Sequence, residues 1–431
     1  YGDMDREISA ATRAHVHTVD INLAFLYGDM DREFYLSPPT GVSWGVDAAG
    51  RPLVRRVLKA LYGFRQSPRL FHDHASRVFG AFGLEPTLAD PCLFVLHKGD
   101  VTLYVGMYVD DFIIVSTDLV LLDSFKAHLG RHFEYKNPGP LCGREFLGIR
   151  VDVDRDRGFV HLSGDRYIRD LPARHDMSDA KPVGTPRTSD KTGSLAAAAT
   201  SVAHRNVAVS EILGGLNWAS ITARPDITTA VSQLASDVAR SVAPRVVDVE
   251  NAKRALRYLA GGLQKAPGLG LHYTREGHAT IADALTPEVY ADSDHAQDVS
   301  RRSRSGVVIY LCGAPVYWRS ALQKSIALHS TSAEIVALSD GVKKLLWIIG
   351  LLGELGHPVQ SSVYVHEDSK PAIGAVQVQR LSARMRHIDV RHLWLRELEA
   401  RKIIHLEHCN SKLNRADFFT KTLTRDQQLY H

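Results

Sequence analysis

Two hydrophobic periods alternate along the first third of the chain. Apolar side chains recur every three or four residues over Ser67–Phe82, which predicts an amphipathic helix, and a second helix is predicted over Leu119–Phe133. Runs rich in β-branched and aromatic residues predict the strands His15–Asp20, Cys92–Leu96, Val101–Tyr108, Phe112–Val115, Phe146–Val151 and Gly158–Leu162. Strands that alternate with helices in this way predict an α/β or α+β fold.

The pattern changes at two later points. Residues 178–200 are rich in Pro, Gly, Ser, Thr and Ala, which predicts a connector. Helical spacing follows over Ser210–Ile221, Asp226–Val238 and Val249–Leu259. From about residue 287, strands are predicted at Val289–Ala291, Gly306–Leu311, Val316–Arg319 and Ser361–His366, and helices at Ala333–Leu352, Ser369–Val376 and Arg384–Ala400. This last part predicts a mixed sheet with helices.

Length and composition indicate a soluble chain of several domains. At about 150 residues per domain, 431 residues suggest roughly two to four domains. Hydrophobic residues make up 45% of the chain and charged residues 23%, as in ordinary globular proteins. No apolar run reaches the roughly 18 residues of a membrane span. The N-terminus lacks a signal-peptide pattern, so neither a membrane nor secretion is expected.

Cysteine usage and net charge indicate the compartment and the partners that the protein could have. The cysteines Cys92, Cys142, Cys312 and Cys409 are scattered, with neither zinc-ligand spacing nor a disulfide framework. A reducing compartment is therefore expected. A net charge of +4 and a pI near 8.8 permit a nucleic-acid partner without requiring one.

An adjacent pair of aspartates is the most informative feature of the first third. Asp110 and Asp111 lie between two strongly β segments, which places them in a tight hairpin turn. Adjacent carboxylates repel each other and are costly to desolvate, so a protein keeps them there mainly where cations compensate. Asp20 ends another apolar strand, and beside the hairpin it would complete a site suited to Mg²⁺. The alternative is a solvated turn at Asp110-Asp111 and a helix cap at Asp20.

Five segments resemble, in order, the motifs of reverse transcriptases from copia-type LTR retrotransposons. Residues 19–29 (VDINLAFLYGD) resemble the first catalytic strand, residues 59–69 (KALYGFRQSPR) the segment on the nucleotide side, and Tyr108–Asp111 the catalytic hairpin. Residues 146–149 (FLGI) resemble the hairpin that grips the primer end, and residues 216–227 a connecting-region motif. Together with motifs of the last third, described below, the order and spacing of the resemblance run from about residue 8 to 424.

The resemblance implies roles for individual side chains at a polymerase site. Asp20, Asp110 and Asp111 would be its metal ligands. Phe25 would lie beneath the incoming sugar and exclude a ribose 2′-hydroxyl, with plain core packing as the alternative. Arg65 would contact the template or a phosphate, and a solvated surface position is an equally consistent alternative. The remaining assignments are Tyr62, Gly63 and Arg65 for the nucleotide pocket, and Phe146, Leu147 and Gly148 for the primer end.

Four further acids lie at predicted strand ends and helix starts in the last third, namely Asp292, Glu334, Asp368 and Asp417. Carboxylates so placed can meet at one edge of a sheet, bind two cations and direct a water at a phosphodiester. Each alone is better interpreted as a cap or a surface charge. This part of the chain resembles the ribonuclease H domain of the same elements, which implies that the four are metal ligands. Residues 292–297 and 332–335 depart from the usual family pattern, so the surroundings of the ligands differ.

Basic residues suited to nucleic acid lie in two places. The helix predicted over Val249–Leu259 carries Lys253, Arg254 and Arg257 on one side, where they would track a phosphate backbone. Arg302 belongs to a turn with three arginines, which would suit the phosphates of a hybrid. A solvated turn is the alternative for that cluster.

Together these features predict an RNA-directed DNA polymerase with ribonuclease H activity from a retrotransposon polyprotein. The resemblance implies an α/β (α+β) fold in three parts. These are a reverse transcriptase palm and fingers over residues 1–155, a thumb or connection region over 156–285, and a ribonuclease H-like mixed five-stranded sheet with helices over 286–424. The expected cofactors are two Mg²⁺ ions per active site, for which Mn²⁺ could substitute.

The expected partners are an RNA template, a DNA primer, an RNA/DNA hybrid and deoxynucleoside triphosphates, without a membrane. A homo-oligomer is compatible with the sequence. The expected location is cytoplasmic, in virus-like particles, or nuclear. The alternative function is an inactive or repurposed relic that binds nucleic acid without turnover. The start of the chain favours it, because the resemblance implies an upstream fingers segment that is missing or garbled here. Separately, YGDMDRE at residues 1–7 recurs at 27–33, which suggests a fragment, a processed product or a gene model with a duplicated piece at its edge.

Overall fold

The computed structural model describes residues 14–187, 206–241, 245–265, 269–377 and 389–422. Two compact units divide the chain. One holds residues 14–141 with Glu354–Gly356, and the other the described residues of 142–353 and 357–422. The first YGDMDRE copy, the second half of the predicted connector and the start of the helix predicted over Arg384–Ala400 lie outside the described residues.

Most strands of the first unit join in one sheet. They are β1 (His15–Ile21), β2 (Tyr35–Leu36), β3 (Arg55–Arg56), β4 (Glu85–Pro86), β5 (Leu93–Lys98), β6 (Val101–Tyr108), β7 (Asp111–Ser116) and β8 (Tyr135–Pro140). Apart from β2 and β3, which pair with each other, they form a six-stranded sheet of order β4-β5-β6-β7-β1-β8. The neighbours β6, β7 and β1 run antiparallel and are buried over most of their length.

Two helices pack on this sheet, and their bounds follow from local signals. Helix α1 (Ser67–Phe82) has Pro68 in its first turn and ends at Gly83, whose φ of 105° is left-handed. Helix α2 (Leu119–Leu129) is capped by Asp118, whose carboxylate accepts a backbone hydrogen bond at 2.7 Å. The core beneath them includes Phe71, Phe79, Phe94, Phe112 and Phe125.

The second unit begins with a small sheet and a group of helices. Its first strands are β9 (Arg144–Phe146), β10 (Ile149–Asp154), β11 (Phe159–Ser163) and β12 (Leu271–Thr274), in the order β12-β11-β10-β9. The helices are α3 (Asp165–Ala173), α4 (Asn206–Thr222), α5 (Thr228–Ala239), α6 (Val246–Lys265) and the short α7 (Ile281–Ala284). Helices α3 to α6 enclose a core that includes Leu216, Leu256 and Leu259.

The remaining strands form a mixed five-stranded sheet. They are β13 (Glu288–Asp294), β14 (Arg304–Leu311), β15 (Ala314–Leu322), β16 (Val363–Glu367) and β17 (Ile404–His408). The order is β15-β14-β13-β16-β17, with β13, β16 and β17 parallel and the other neighbours antiparallel. Its helices are α8 (Ser330–Glu354), α9 (Lys370–Gln377) and α10 (Asp389–Ala400). The predicted mixed five-stranded sheet with helices is confirmed.

Several predicted elements differ in extent from the observed ones: the helix predicted over Val249–Leu259 spans Val246–Lys265, and the strand predicted over Val316–Arg319 spans Ala314–Leu322. The strand predicted over Phe146–Val151 is interrupted, because Leu147 and Gly148 have φ angles of 52° and 79° and form the turn between β9 and β10. The helix predicted over Leu119–Phe133 ends at Leu129, where Gly130 follows. Glycine costs about 1 kcal/mol relative to alanine inside a helix, which favours an end at that position.

The described helices do not include one that is both long and apolar enough to cross a membrane. The longest, α8, has 25 residues but carries charged side chains, among them Glu334, Asp340 and Lys343.

Candidate catalytic sites

The first candidate site lies where β1 meets the hairpin of β6 and β7. Asp20 is the Cα partner of Asp111 in the antiparallel pairing of β1 with β7. The amide of Ile21 donates to the carbonyl oxygen of Asp110 at 2.8 Å, which carries the pairing up to the turn. Side chains of directly opposed residues project to the same face of a sheet. The structure therefore brings Asp20 and Asp111 together beside Asp110, while their role as metal ligands stays a prediction.

The turn that presents these aspartates is strained. Tyr108 pairs with Asp111, so Val109 and Asp110 form the two-residue turn between β6 and β7, and the prediction that Asp111 also lies in the turn is wrong because it begins β7. Val109 has a φ of 55°. A left-handed conformation at a residue other than glycine costs about 1–3 kcal/mol and persists mainly at functional sites. The strain thus supports a functional interpretation of the turn.

Burial and like charge oppose the ionisation of Asp111. Burial, followed by the carboxylates of Asp110 and Asp20, raises the pKa of Asp111 above its ordinary value. Lys136 on β8 partly offsets this charge, since its Nζ lies 3.2 Å from Asp20 Oδ2. That ion pair is solvated, with 72% of the Lys136 side chain and 40% of the Asp20 side chain exposed, so it is weak. The donor set suits a hard divalent cation.

The residues predicted to border the nucleotide lie in the same unit. Phe25 belongs to a 3₁₀ turn that follows β1, and its ring centroid is 4.6 Å from that of Tyr62. Tyr62 and Arg65 are exposed, and Gly63 has a φ of 93°. Phe25 is only partly buried against the core. Phe25 and Tyr62 therefore form an aromatic pair with accessible surface.

The second candidate site gathers three acids at one edge of the five-stranded sheet. Asp292 lies near the end of β13, Glu334 near the start of α8, and Asp368 directly after β16. One carboxylate oxygen from each lies within 4.8 Å of the other two. Because β13 and β16 are parallel neighbours, their carboxyl ends meet at the same edge. Acids that are distant in sequence are thus brought into one group.

Asp417 lies beside this group, and two residues that the sequence prediction missed hold it there. Asp417 belongs to the 3₁₀ turn Arg415–Phe419. Lys421 Nζ is 2.6 Å from Asp417 Oδ1 and 3.5 Å from Asp292 Oδ2. The Thr420 hydroxyl donates to Asp292 Oδ2. The i, i+4 spacing of Asp417 and Lys421 is the signal that could have found the ion pair.

Burial dominates the electrostatics of the second site. It raises the pKa of Asp292, which the Lys421 ammonium only partly opposes. Burial and the charge of Asp292 raise the pKa of Glu334 to about 9. Burial and the charge of Glu334 raise the pKa of Glu367, an acid that the sequence prediction missed, well above its ordinary value. Oε2 of Glu334 and Oε2 of Glu367 are buried without a hydrogen-bond partner among the described residues. Unpaired buried carboxylates are costly, and a bound cation would compensate them.

Close packing fixes the turn that carries Asp417. A side chain at Gly306 on β14 would bring a Cβ within 2.6 Å of Thr420 Cγ2, so glycine lets the turn lie directly on the sheet. From the other side, the Thr229 hydroxyl on α5 donates to the carbonyl oxygen of Phe418 at 2.7 Å. Helix α5 precedes the residues predicted for the ribonuclease part, yet it braces this segment.

The three basic residues predicted along α6 differ in their surroundings. Lys253 is exposed. Arg254 Nη2 donates to Thr185 Oγ1 at 2.9 Å, and Arg257 Nε donates to the carbonyl oxygen of Lys181 at 2.6 Å. Both arginines therefore bind their own chain, and this side of α6 presents Lys253.

The other predicted nucleic-acid contacts lie in turns of the second unit. Arg302 Nε donates to Ser300 Oγ at 3.1 Å in the connection between β13 and β14. Phe146 is buried, whereas Leu147 and Gly148 form the turn after β9. A Cβ on Gly148 would lie 3.3 Å from Trp218 Cζ2, so the turn packs on α4. In this predicted primer grip, Phe146 supports the turn and the turn itself is accessible.

The described residues form a mixed α/β fold with two acidic groups, and one part of the chain matches a known family. Residues 6–189 match the family described as reverse transcriptase (RNA-dependent DNA polymerase). The retrovirus-related Pol polyprotein from transposon TNT 1-94 of Nicotiana tabacum is 30% identical over 428 residues, covering 97% of this chain and 31% of that protein. Over nearly its whole length the chain is similar to retrotransposon Pol polyproteins, in agreement with the copia-type resemblance.

A second transposon protein and a solved structure were also matched. The retrovirus-related Pol polyprotein from transposon RE1 of Arabidopsis thaliana is 31% identical over 414 residues, covering 95% of this chain and 26% of that protein. The chain thus spans about a third or less of the length of these curated relatives. Among solved structures, the foamy viral protease-reverse transcriptase in complex with dsDNA has a TM-score of 0.48 at 14% identity. That match covers 94% of this chain and 70% of that chain.

Proposed function

We propose that the chain is an RNA-directed DNA polymerase that also cleaves the RNA strand of an RNA/DNA hybrid. Its substrates would be a DNA primer on an RNA template, deoxynucleoside triphosphates and the hybrid that extension produces. The observation that carries the proposal is the convergence of Asp292, Glu334 and Asp368 within 4.8 Å. The opposed Asp20 and Asp111 of the first unit support the polymerase part.

Divalent cations fit both donor sets. Carboxylate oxygens are the ligands that Mg²⁺ prefers, and Mn²⁺ accepts the same ligands. The buried, unpartnered Oε2 of Glu334 supports a cation at the second site. Asp20, Asp110 and Asp111 would hold cations at the first site, and Asp292, Glu334, Asp368 and Asp417 at the second. Two bound cations supply an activated nucleophile and stabilise the leaving oxygen in phosphoryl transfer.

At the first site, the protein residues position the reactants. The strained Val109-Asp110 turn holds both hairpin carboxylates at the tip of β6 and β7. Phe25, backed by Tyr62 at 4.6 Å, offers a rigid wall against which a deoxyribose fits and a ribose 2′-hydroxyl does not. Arg65 is exposed and free to bind a phosphate or the template.

At the second site, packing keeps the carboxylates in place without a substrate. Thr420 fixes the orientation of Asp292, and the 3₁₀ turn presents Asp417 to the same edge. Pre-positioned charge of this kind requires little reorganisation when a phosphodiester binds. Residues 156–285 would connect the proposed polymerase site with the proposed ribonuclease site. Lys253 and Arg302 would contact backbone phosphates. Binding should therefore weaken steeply with salt.

Two assays on one preparation of the whole chain test the proposal. Primer extension on an RNA template and cleavage of an RNA/DNA hybrid are measured with Mg²⁺. We expect both activities, and we expect Asp110→Asn to abolish extension while cleavage continues. Cleavage without extension in the unmodified chain would refute the polymerase part. Nucleic-acid binding with neither activity would support the alternative of an inactive relic.

A further inference from the structure

The four acids of the proposed ribonuclease site do not share the same surroundings. Asp292, Glu334 and Asp368 form the group whose oxygens lie within 4.8 Å of one another. Asp417 is instead engaged by the Lys421 ammonium at 2.6 Å. The same ammonium lies 3.5 Å from Asp292 Oδ2, so it contacts both the fourth acid and one of the other three, and Asp292 and Asp417 also contact each other.

Lys421 reaches this position from the solvent side. Its side chain is 43% exposed, whereas Asp292 is 3% and Asp417 17% exposed. Partial burial disfavours the ammonium, but Asp292 and Asp417 outweigh it and raise the pKa of Lys421 above its ordinary value. Asp292 and Asp417 therefore favour the charged ammonium. It is a fixed positive charge within the acidic cluster, with room on its outer side.

One carboxylate oxygen of Asp292 already has partners within the protein. Asp292 Oδ2 accepts the hydrogen bond from Thr420 and also faces Lys421. The buried Oε2 of Glu334 has no hydrogen-bond partner among the described residues. Protein groups thus satisfy Asp292 Oδ2 and Asp417 Oδ1, whereas this oxygen of Glu334 lacks a compensating partner.

We propose that Lys421 closes the Asp292–Asp417 side to divalent cations until nucleic acid binds. The inference rests on the proposed ribonuclease function and adds a positioning residue to it. Without nucleic acid, the chain takes one divalent cation at Asp292, Glu334 and Asp368. A second cation can bind Asp417 only when the ammonium leaves it, and a backbone phosphate offers the ammonium another partner. Occupancy of the complete site is thereby coupled to substrate binding.

Titration with Mn²⁺ in the absence of nucleic acid tests this directly. The chain carries Asp110→Asn and Asp111→Asn to remove the first acidic site, and the EPR signal of free Mn²⁺ reports binding. We expect one Mn²⁺ per chain. In the same background, Lys421→Met should bind a second Mn²⁺. Its affinity for this second ion should be at least about tenfold higher than that of the chain with Lys421 intact, because a neighbouring positive charge is gone.

Two controls separate a local effect from net charge and from loss of folding. Lys412→Met removes an exposed lysine from the preceding turn and should still bind one Mn²⁺. Lys421→Arg keeps the charge and should also bind one. Two equivalent Mn²⁺ ions in the chain with Lys421 intact would overturn the proposal and leave the proposed function standing. Equal binding by Lys421→Met and the intact chain would do the same. Failure to bind any Mn²⁺ would instead contradict the proposed metal dependence itself.

Discussion

Asp20 and Asp111 face each other directly across the antiparallel strands β1 and β7. A single strand pairing thus assembles the first acidic site from two distant parts of the sequence. The register is decisive, because a shift of one residue would turn Asp20 to the opposite face of the sheet. The buried neighbours Val19 and Phe112, which are also paired, favour this register over its alternatives.

The aromatic pair of Phe25 and Tyr62 predicts a test of sugar selection. Phe25→Val removes the wall that we assign to the sugar and should raise the use of ribonucleotides relative to deoxynucleotides by on the order of tenfold to a hundredfold. Single-nucleotide extension with each triphosphate measures the ratio of kcat/KM values. Tyr62→Phe keeps the ring contact and should leave the ratio unchanged. An unchanged ratio in Phe25→Val would assign Phe25 to core packing instead.

Buried His17 predicts that the first unit loses stability in mild acid. Burial, with the Lys126 ammonium, lowers the pKa of His17 from 6.5 to about 4, and Lys126 Nζ lies 3.1 Å from His17 Nδ1. Between these pH values the unfolded chain binds a proton that the folded chain does not. The stabilisation is therefore present above about pH 6.5 and is lost as the pH falls towards 4.

The substitution His17→Asn keeps a hydrogen-bond acceptor near Lys126 but cannot be protonated. Urea unfolding at pH 7 and pH 5 should show a smaller loss of stability for His17→Asn than for the unmodified chain. His132→Asn, at an exposed histidine of the same unit, is the matched control and should behave like the unmodified chain. An identical pH dependence in all three chains would contradict the assignment.

The close packing around Gly306 provides a steric test of the proposed ribonuclease site. A Cβ in Gly306→Ala would collide with Thr420 Cγ2 at 2.6 Å and with the carbonyl oxygen of Ala416 at 2.7 Å. We expect a loss of about 1–3 kcal/mol in the free energy of unfolding and slower hybrid cleavage, because the turn with Asp417 must move. At Gly350 on α8 an added Cβ meets nothing within 4 Å, so Gly350→Ala should not destabilise the chain. Equal stability of the two variants would show that the turn is not packed as described.

Thr229 predicts that helix α5 supports hybrid cleavage from outside the five-stranded sheet. Thr229→Val removes the hydrogen bond to the carbonyl oxygen of Phe418, at a cost of about 1 kcal/mol. Hybrid cleavage should fall in kcat more than it rises in KM, while primer extension is unchanged. Thr222→Val is the control, since that hydroxyl bonds only within α4, to Trp218 O and Ala219 O. The idea fails if cleavage by Thr229→Val matches that of the control.

The sequence predicted most elements because their signals are local. The helix Ser67–Phe82 has the predicted bounds, since Pro68 and Gly83 mark its ends. The strand predicted over Phe146–Val151 was wrong because β-forming side chains surround Gly148. Apart from the glycine itself, the sequence carries no signal for the left-handed backbone at that position. Short-range patterns cannot reveal a turn that depends on one glycine among apolar residues.

The acidic residues were predictable from motifs, but their surroundings were not. Lys421 and Thr420 bind Asp292 from the far end of the chain, and no periodic pattern links those positions. The contact of Arg254 and Arg257 with nucleic acid stays a prediction, but the sequence did not reveal that they also bind Thr185 and Lys181, which only the folded chain brings near. Long-range polar contacts depend on tertiary packing, and one sequence does not contain them as a pattern.

The most direct test of two separate catalytic sites substitutes one acid in each site and measures both activities in the same experiment. Extension and hybrid cleavage are measured side by side for Asp111→Asn and Asp368→Asn, with Asp118→Asn and Asp340→Asn as controls outside the acidic groups. We predict that Asp111→Asn lowers extension alone, and Asp368→Asn cleavage alone, each by at least on the order of a hundredfold. Loss of both activities in either variant, or of neither in both, would contradict two separate catalytic groups of carboxylates.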